Sequence, residues 1–152
     1  TQLLLVCDYI IAAEGSYLCL PAAKEGIIPG VANLRLSRYM GAKLARRIIL
    51  QGHVVHAHDP DAALLIDQVV KPESMDIAIE SAVRDLDNPA VAANRAILNL
   101  AEEPLSLFRS YMAEFALHQA ERAYSEDVHA KVARHVSEHR TQHGVKDARP
   151  HA

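Results

Sequence analysis

Stretches that read as β-strand are confined to the first 70 residues, and they are too few for a sheet. Tyr9-Ile-Ile-Ala-Ala13 is a short apolar run closed by Glu14-Gly15, read here as a buried strand. Ser16 to Leu20 is a second, stopped by Pro21, and Val69-Val70 is the core of a third. From Pro72 onward the apolar positions recur at helical spacing. A sheet of so few short strands is marginal alone. The expectation is an α/β front, a helical back, and further strands upstream of Thr1. The chain also begins abruptly in apolar sequence without Met, as part of a longer protein would.

Proline and glycine punctuate the rest. Lys24-Glu-Gly-Ile-Ile-Pro-Gly30 reads as a loop. Leu34, Leu36, Tyr39 and Met40 predict a short helix ending at Gly41. A second helix follows over Ala42 to Leu50, with Leu44, Ile48 and Ile49 inward, Arg46 and Arg47 outward, and Gly52 as its cap. Asp59-Pro60-Asp61 is a helix start. Helices are expected from Pro72 (Met75, Ile79 and Val83 on one stripe), from Pro89 (Ala96, Ile97, Leu100) and from Pro104 (Phe108, Met112, Phe115, Ala116, Gln119). Residues 1–70 then form part of an α/β core, 71–135 a helical region, and 136–152 a polar tail.

Composition removes several functions. The chain of 152 residues carries a net charge of −3, which gives no concentrated basic face for nucleic acid. No segment has the roughly 18 to 20 apolar residues of a membrane span. Cys7 and Cys19 lie in apolar runs and read as buried, reduced thiols of a cytoplasmic protein. Histidines gather at 53, 56 and 58, and at 135, 139 and 143 with helical spacing, but no Cys or paired carboxylate completes a metal motif. No metal site is expected. Arg35, Arg38, Lys43, Arg46 and Arg47 form a basic patch, read as a solvated helix face rather than a phosphate site. There is no nucleophile elbow, P-loop or dinucleotide turn.

One ordered pattern remains. Cys7-Asp8-Tyr-Ile-Ile-Ala-Ala13, Leu20-Pro21, Gly26-Ile-Ile-Pro-Gly30, Leu36-Ser-Arg38, Gly41, Ala45, Leu50 and Gly52 follow one another across about 60 residues. In this the chain resembles the enoyl-CoA hydratase/isomerase (crotonase) superfamily, specifically its C-terminal half. That resemblance implies a crotonase fold and an oxyanion hole of two backbone N–H groups that stabilises a thioester enolate. Both donors are expected upstream of Thr1.

The departures from that pattern narrow the chemistry. The two glutamates with which hydratases work on water fall by spacing on Gln2 and Ala22, and neither side chain can exchange a proton. Within the superfamily, Pro21-Ala-Ala-Lys-Glu-Gly-Ile-Ile-Pro-Gly30, Asn94-Arg95 and Tyr111-Met-Ala-Glu-Phe-Ala-Leu117 are similar to the cofactor-independent dioxygenases that act on 3,5-dihydroxyphenylacetyl-CoA. What this resemblance implies is an arylacetyl-CoA substrate and O2 as co-substrate, with no metal or flavin. It also implies Gln2 beside the substrate, Ile27 and Val128 lining an oxygen pocket, and Glu25, Gly26, Pro29 and Gly30 in a substrate loop. A homotrimer or a dimer of trimers is the implied assembly. Two other readings stay open: an inactive half that only assembles, and a different crotonase-type isomerase or decarboxylase.

Overall fold

The computed structural model describes residues 1–143, with side chains through Glu138. After a 3₁₀ turn over Gln2–Val6 come β1 (Ile11–Ala13), β2 (Tyr17–Leu18), α1 (Ala22–Glu25), α2 (Ala32–Gln51), β3 (Val55–His56) and β4 (Gln68–Val70). Among the described residues four helices follow: α3 (Met75–Leu86), α4 (Pro89–Glu102), α5 (Leu105–Ala123) and α6 (Glu126–His143).

The strands form two small sheets. β1 pairs with β4 in parallel, Ile11 opposite Gln68 and Ala13 opposite Val70. β2 pairs antiparallel with β3, Tyr17 opposite His56. A parallel pair needs a long crossover between its strands. Here α2 lies within that crossover and packs the main core. The buried cluster joins Leu5, Ile10, Leu18 and Leu20 to Leu36, Met40, Leu44 and Ile48 of α2, and to Val55, Leu65 and Ile66. Asp67 accepts the Ile10 backbone N–H at 2.8 Å, tying the start of β1 to the start of β4. Thr1 Oγ1 donates to the Cys19 carbonyl at 2.8 Å, anchoring the beginning of the chain beside β2.

The inward and outward positions of α2 follow the helical period: Leu44 and Ile48 are buried, Arg46 and Arg47 exposed. Gly41 interrupts the helix with φ 70° and ψ 156°, a conformation nearly restricted to glycine. Two helices therefore meet at a bend, where the periodicity changes in the sequence.

Several expectations need correction. The stretch read as a loop from Lys24 opens inside a helical turn, α1, which ends at Gly26 in the left-handed region. β3 was not expected, because a two-residue strand leaves no periodic signal. Cys7 is exposed, with its thiol on the Leu3 carbonyl at 3.5 Å, because the 3₁₀ turn directs it outward; Cys19 is partly buried. Helix α6 continues through His143, past the position where a polar tail was expected to begin. Polar residues are compatible with helix where one face alone has a partner. Residues 144–152 of that expected tail lie outside the described residues, as do the side chains of His139 and His143.

Ile48 is 1% exposed at the centre of this core. Ile48→Ala is expected to lower unfolding stability by about 2–5 kcal/mol, read from the urea midpoint at unchanged slope.

Candidate active site

The Gly26–Gly30 loop leaves α1 and enters α2, and other elements supply its polar partners. Within the loop the Gly30 N–H donates to the Ile28 carbonyl at 2.9 Å, and the Ile27 N–H reaches back to the Ala22 carbonyl of α1 at 2.9 Å. Three further groups are met by α5. Arg122 Nε donates to the Gly26 carbonyl at 2.7 Å. Gln119 Oε1 accepts the Ile28 N–H at 2.9 Å. The Tyr111 hydroxyl donates to the Gly30 carbonyl. These three residues fall on one stripe of α5, with Phe115 stacked on Tyr111 at 6.5 Å between ring centres. Burial pushes the Tyr111 phenol above its ordinary range, so it remains a donor near neutral pH.

The expected site residues gather on this loop from both sides. Gln2 is exposed, and its Oε1 lies 2.7 Å from where a Cβ on Gly30 would stand. On the other side, Val128 Cγ2 lies 3.0 Å from where a Cβ on Gly26 would stand. A side chain at either glycine would meet these neighbours, so both positions allow close approach to the loop backbone. Val128 is 6% exposed and sits outside the main core; among the described residues of α4, α5 and α6 it alone is buried. Ile27, immediately after Gly26, is half-buried, and Pro29 is buried. Glu25 is exposed at the end of α1, and its carboxylate joins none of the ion pairs of the described residues. Ala22 is buried at the start of α1, so no carboxylate stands at that position.

A second polar cluster lies between α2 and α4. Glu103 accepts from Arg35 Nε at 2.9 Å and Nη2 at 2.6 Å, and from Arg38 Nη1 at 2.9 Å. The side-chain bonds from Arg35 and Arg38 hold the Glu103 carboxyl below the usual range, against the opposing effect of burial. Arg95 Nε meets Asp8 at 2.6 Å across the same cavity of about 230 Å³. Arginines and carboxylates neutralise one another there. The basic patch of the sequence therefore splits: Arg35 and Arg38 are structural partners of Glu103, while Lys43 and Arg46 remain solvated. Among the described residues no group of His, Cys, Asp and Glu is placed to hold a metal, and no helix is long and apolar enough to cross a membrane.

Residues 1–142 match the family model described as Enoyl-CoA hydratase/isomerase. The chain belongs to the enoyl-CoA hydratase/isomerase family. Among curated relatives, a (3,5-dihydroxyphenyl)acetyl-CoA 1,2-dioxygenase of Amycolatopsis orientalis is 62% identical over 131 residues, covering 86% of this chain and 30% of that protein. A probable enoyl-CoA hydratase of Mycobacterium leprae is 28% identical over 120 residues, covering 78% of this chain and 45% of that protein. The chain thus spans less than half the length of either. In three dimensions it superposes on an enoyl-CoA hydratase/isomerase from Pseudoalteromonas atlantica with a TM-score of 0.75 at 20% identity, over 89% of this chain and 55% of the other. That likeness establishes the crotonase fold for this family member.

Three residues of the site went unassigned in the sequence. In the sequence Gln119 shows only helical periodicity, the Tyr111 segment only the family resemblance, and Arg122 neither. The one available signal was their shared stripe on α5, a polar row on a helix where apolar residues would otherwise pack.

The fold holds Glu103 below its ordinary range, so the unfolded chain binds the extra proton first as acid is added. Its contribution to stability is complete above about pH 4.3 and disappears as the pH falls through the folded value. Glu103→Gln is expected to cost about 1–2 kcal/mol at neutral pH, and the gap from wild type should close on acidification. Denaturant midpoints taken from pH 7 downward would check it; a gap independent of pH would contradict the assignment.

Proposed function

We propose that the intact protein carrying this chain is an oxygenase acting on an arylacetyl-CoA thioester, converting 3,5-dihydroxyphenylacetyl-CoA and O2 to the arylglyoxylate and free CoA. The observation that carries the reading is the convergence of Gln2, Ile27 and Val128 on one loop of a chain 62% identical to a dioxygenase of that substrate. Hydration is disfavoured by the same site, because Gln2 and the buried Ala22 stand where a pair of carboxylates would have to exchange protons with water.

The proposed reaction balances without a further redox partner. A base removes an α-proton of the arylacetyl group, and the carbanion is delocalised over the thioester and the aryl ring. The carbanion passes its electrons to O2 and forms a carbon–oxygen bond. The peroxide then attacks the thioester carbon and expels the thiolate, which takes up a proton; a base removes the remaining α-proton, whose bonding electrons form the ketone as the O–O bond breaks to give the keto acid. In this scheme no metal or flavin takes part. Gln2 is assigned to the substrate side, Glu25, Gly26, Pro29 and Gly30 to the substrate loop, and Ile27 and Val128 to a small apolar space for O2. Uncovered apolar side chains on α3 and α4, such as Ile77 and Ile97, support cover by further protein surface, and the assembly proposed is a homotrimer or a dimer of trimers.

Oxygen uptake by the intact protein with the arylacetyl-CoA is expected to match CoA release one for one and to be unchanged by metal chelators. Uptake abolished by the chelator would refute the cofactor-free reading. Exchange of the α-protons with solvent and no oxygen uptake would favour an isomerase or decarboxylase of the same family.

A further inference from the structure

Building on the dioxygenase reading, we propose that Arg122 and Gln119 are positioning residues that set the Ile27 backbone and its spacing from Val128, and so control delivery of O2 and not binding of the thioester.

The backbone conformation of a residue is the relative orientation of the two peptide planes that flank it. Both planes around Ile27 are held from outside the loop. The Gly26–Ile27 plane is held at its carbonyl by Arg122 Nε, 2.7 Å, and at its N–H by the Ala22 carbonyl, 2.9 Å. The Ile27–Ile28 plane is held at its N–H by Gln119 Oε1, 2.9 Å. Two of these three bonds come from side chains one turn apart on α5. With both planes anchored, the direction in which the Ile27 side chain leaves the backbone is determined.

Arg122 also reaches the other wall. Its Nη2 donates to Asp127 Oδ2 at 2.6 Å, and Asp127 directly precedes Val128. Its carbonyl accepts the Ser125 hydroxyl at 2.6 Å and the Ser125 N–H at 3.1 Å, closing the turn from α5 into α6. One guanidinium therefore links the residue before Ile27 to the residue before Val128. The side-chain bond from Arg122 also holds the Asp127 carboxyl below its ordinary range, so the link persists in mildly acidic solution. Arg122 Nη2 lies 3.1 Å, and Val128 Cγ2 3.0 Å, from where a Cβ on Gly26 would stand, so glycine there lets the guanidinium and the valine close on the same backbone point.

The test uses the intact protein with Arg122→Met, Gln119→Met and Gln119→Glu. Gln119→Glu keeps an acceptor for the Ile28 N–H, while Gln119→Met keeps only the bulk. Both Met variants are expected to lower kcat/KM for O2 about tenfold or more, with KM for the thioester and anaerobic exchange of its α-protons into D2O within about twofold of wild type. Gln119→Glu is expected to restore most of the loss. Hydrogen exchange at the Ile28 amide should be about tenfold faster in Gln119→Met, and this holds as a readout even where Arg122→Met folds poorly.

An unchanged oxygen dependence, an equal fall in α-proton exchange, or an Ile28 amide that exchanges at the wild-type rate would overturn the proposal. Failure of the dioxygenase reading would appear in the wild type itself, as absence of oxygen uptake. That result would overturn the oxygen-delivery role too, whereas failure of the present inference would appear in the variants alone.

Discussion

The contact on which the site depends is the grip of α5 on the backbone of the Gly26–Gly30 loop. A loop partly removed from water must find partners for its N–H and C=O groups, since an unpaired buried one costs about as much as a lost hydrogen bond. The left-handed turn at Gly26 and the proline at 29 leave the loop unable to satisfy itself through a regular ladder. Tyr111, Gln119 and Arg122 supply what is missing. The same bonds bring α5 and α6 onto the loop that follows α1, so that Val128 on α6 meets Gly26 more than 100 positions earlier in the sequence.

This arrangement separates two kinds of stabilisation. The buried residues of the core of α2 and the strands lie within residues 5–66, with Leu4 and Val69 packed against them, and no polar side chain is buried among the described residues. The helices from α3 on add little to that core. α3 packs on β1 with Ala78 buried, while α4 and α5 are held by directed polar contacts: Arg35 and Arg38 on Glu103, Arg95 on Asp8, and the α5 row on the loop. Phe108 adds an apolar contact beneath Arg35, whose guanidinium lies 5.8 Å from the ring centre. Much of the apolar surface of α3 and α4, including Ile77, Val83, Ile97 and Leu100, has no cover within the described residues. A rigid inner core thus carries a docked helical layer whose registration rests on a handful of hydrogen bonds.

Much of this was legible along the chain. The alternation of short apolar runs and turns before residue 70 marked β1, β2 and β4, and the helical period with Gly41 and Gly52 marked the two segments of α2 and its end. The ordered Gly-x-x-Pro-Gly and Leu-x-Arg-x-x-Gly pattern was enough to indicate the family that the whole-chain match establishes. Cys7 was misjudged, because an apolar neighbourhood in sequence does not say which way a 3₁₀ turn directs one side chain. β3 escaped because two residues carry no period. The basic patch was divided correctly only when Glu103, more than 60 residues away, was seen to take Arg35 and Arg38.

The residues alone therefore determined the class of fold, the place of the loop, and the absence of hydratase carboxylates at Gln2 and Ala22. These are local properties: periodicity, turn chemistry and side-chain type at a given spacing. Only the tertiary structure decided that Gln2 and Val128 flank the same five residues, and that Arg122 joins the two walls around Ile27. Those facts depend on how α5 and α6 fold back over α1. That docking is chosen by the unmet hydrogen-bonding groups of the Gly26–Gly30 backbone, and a backbone carbonyl or N–H leaves no mark in an amino-acid sequence.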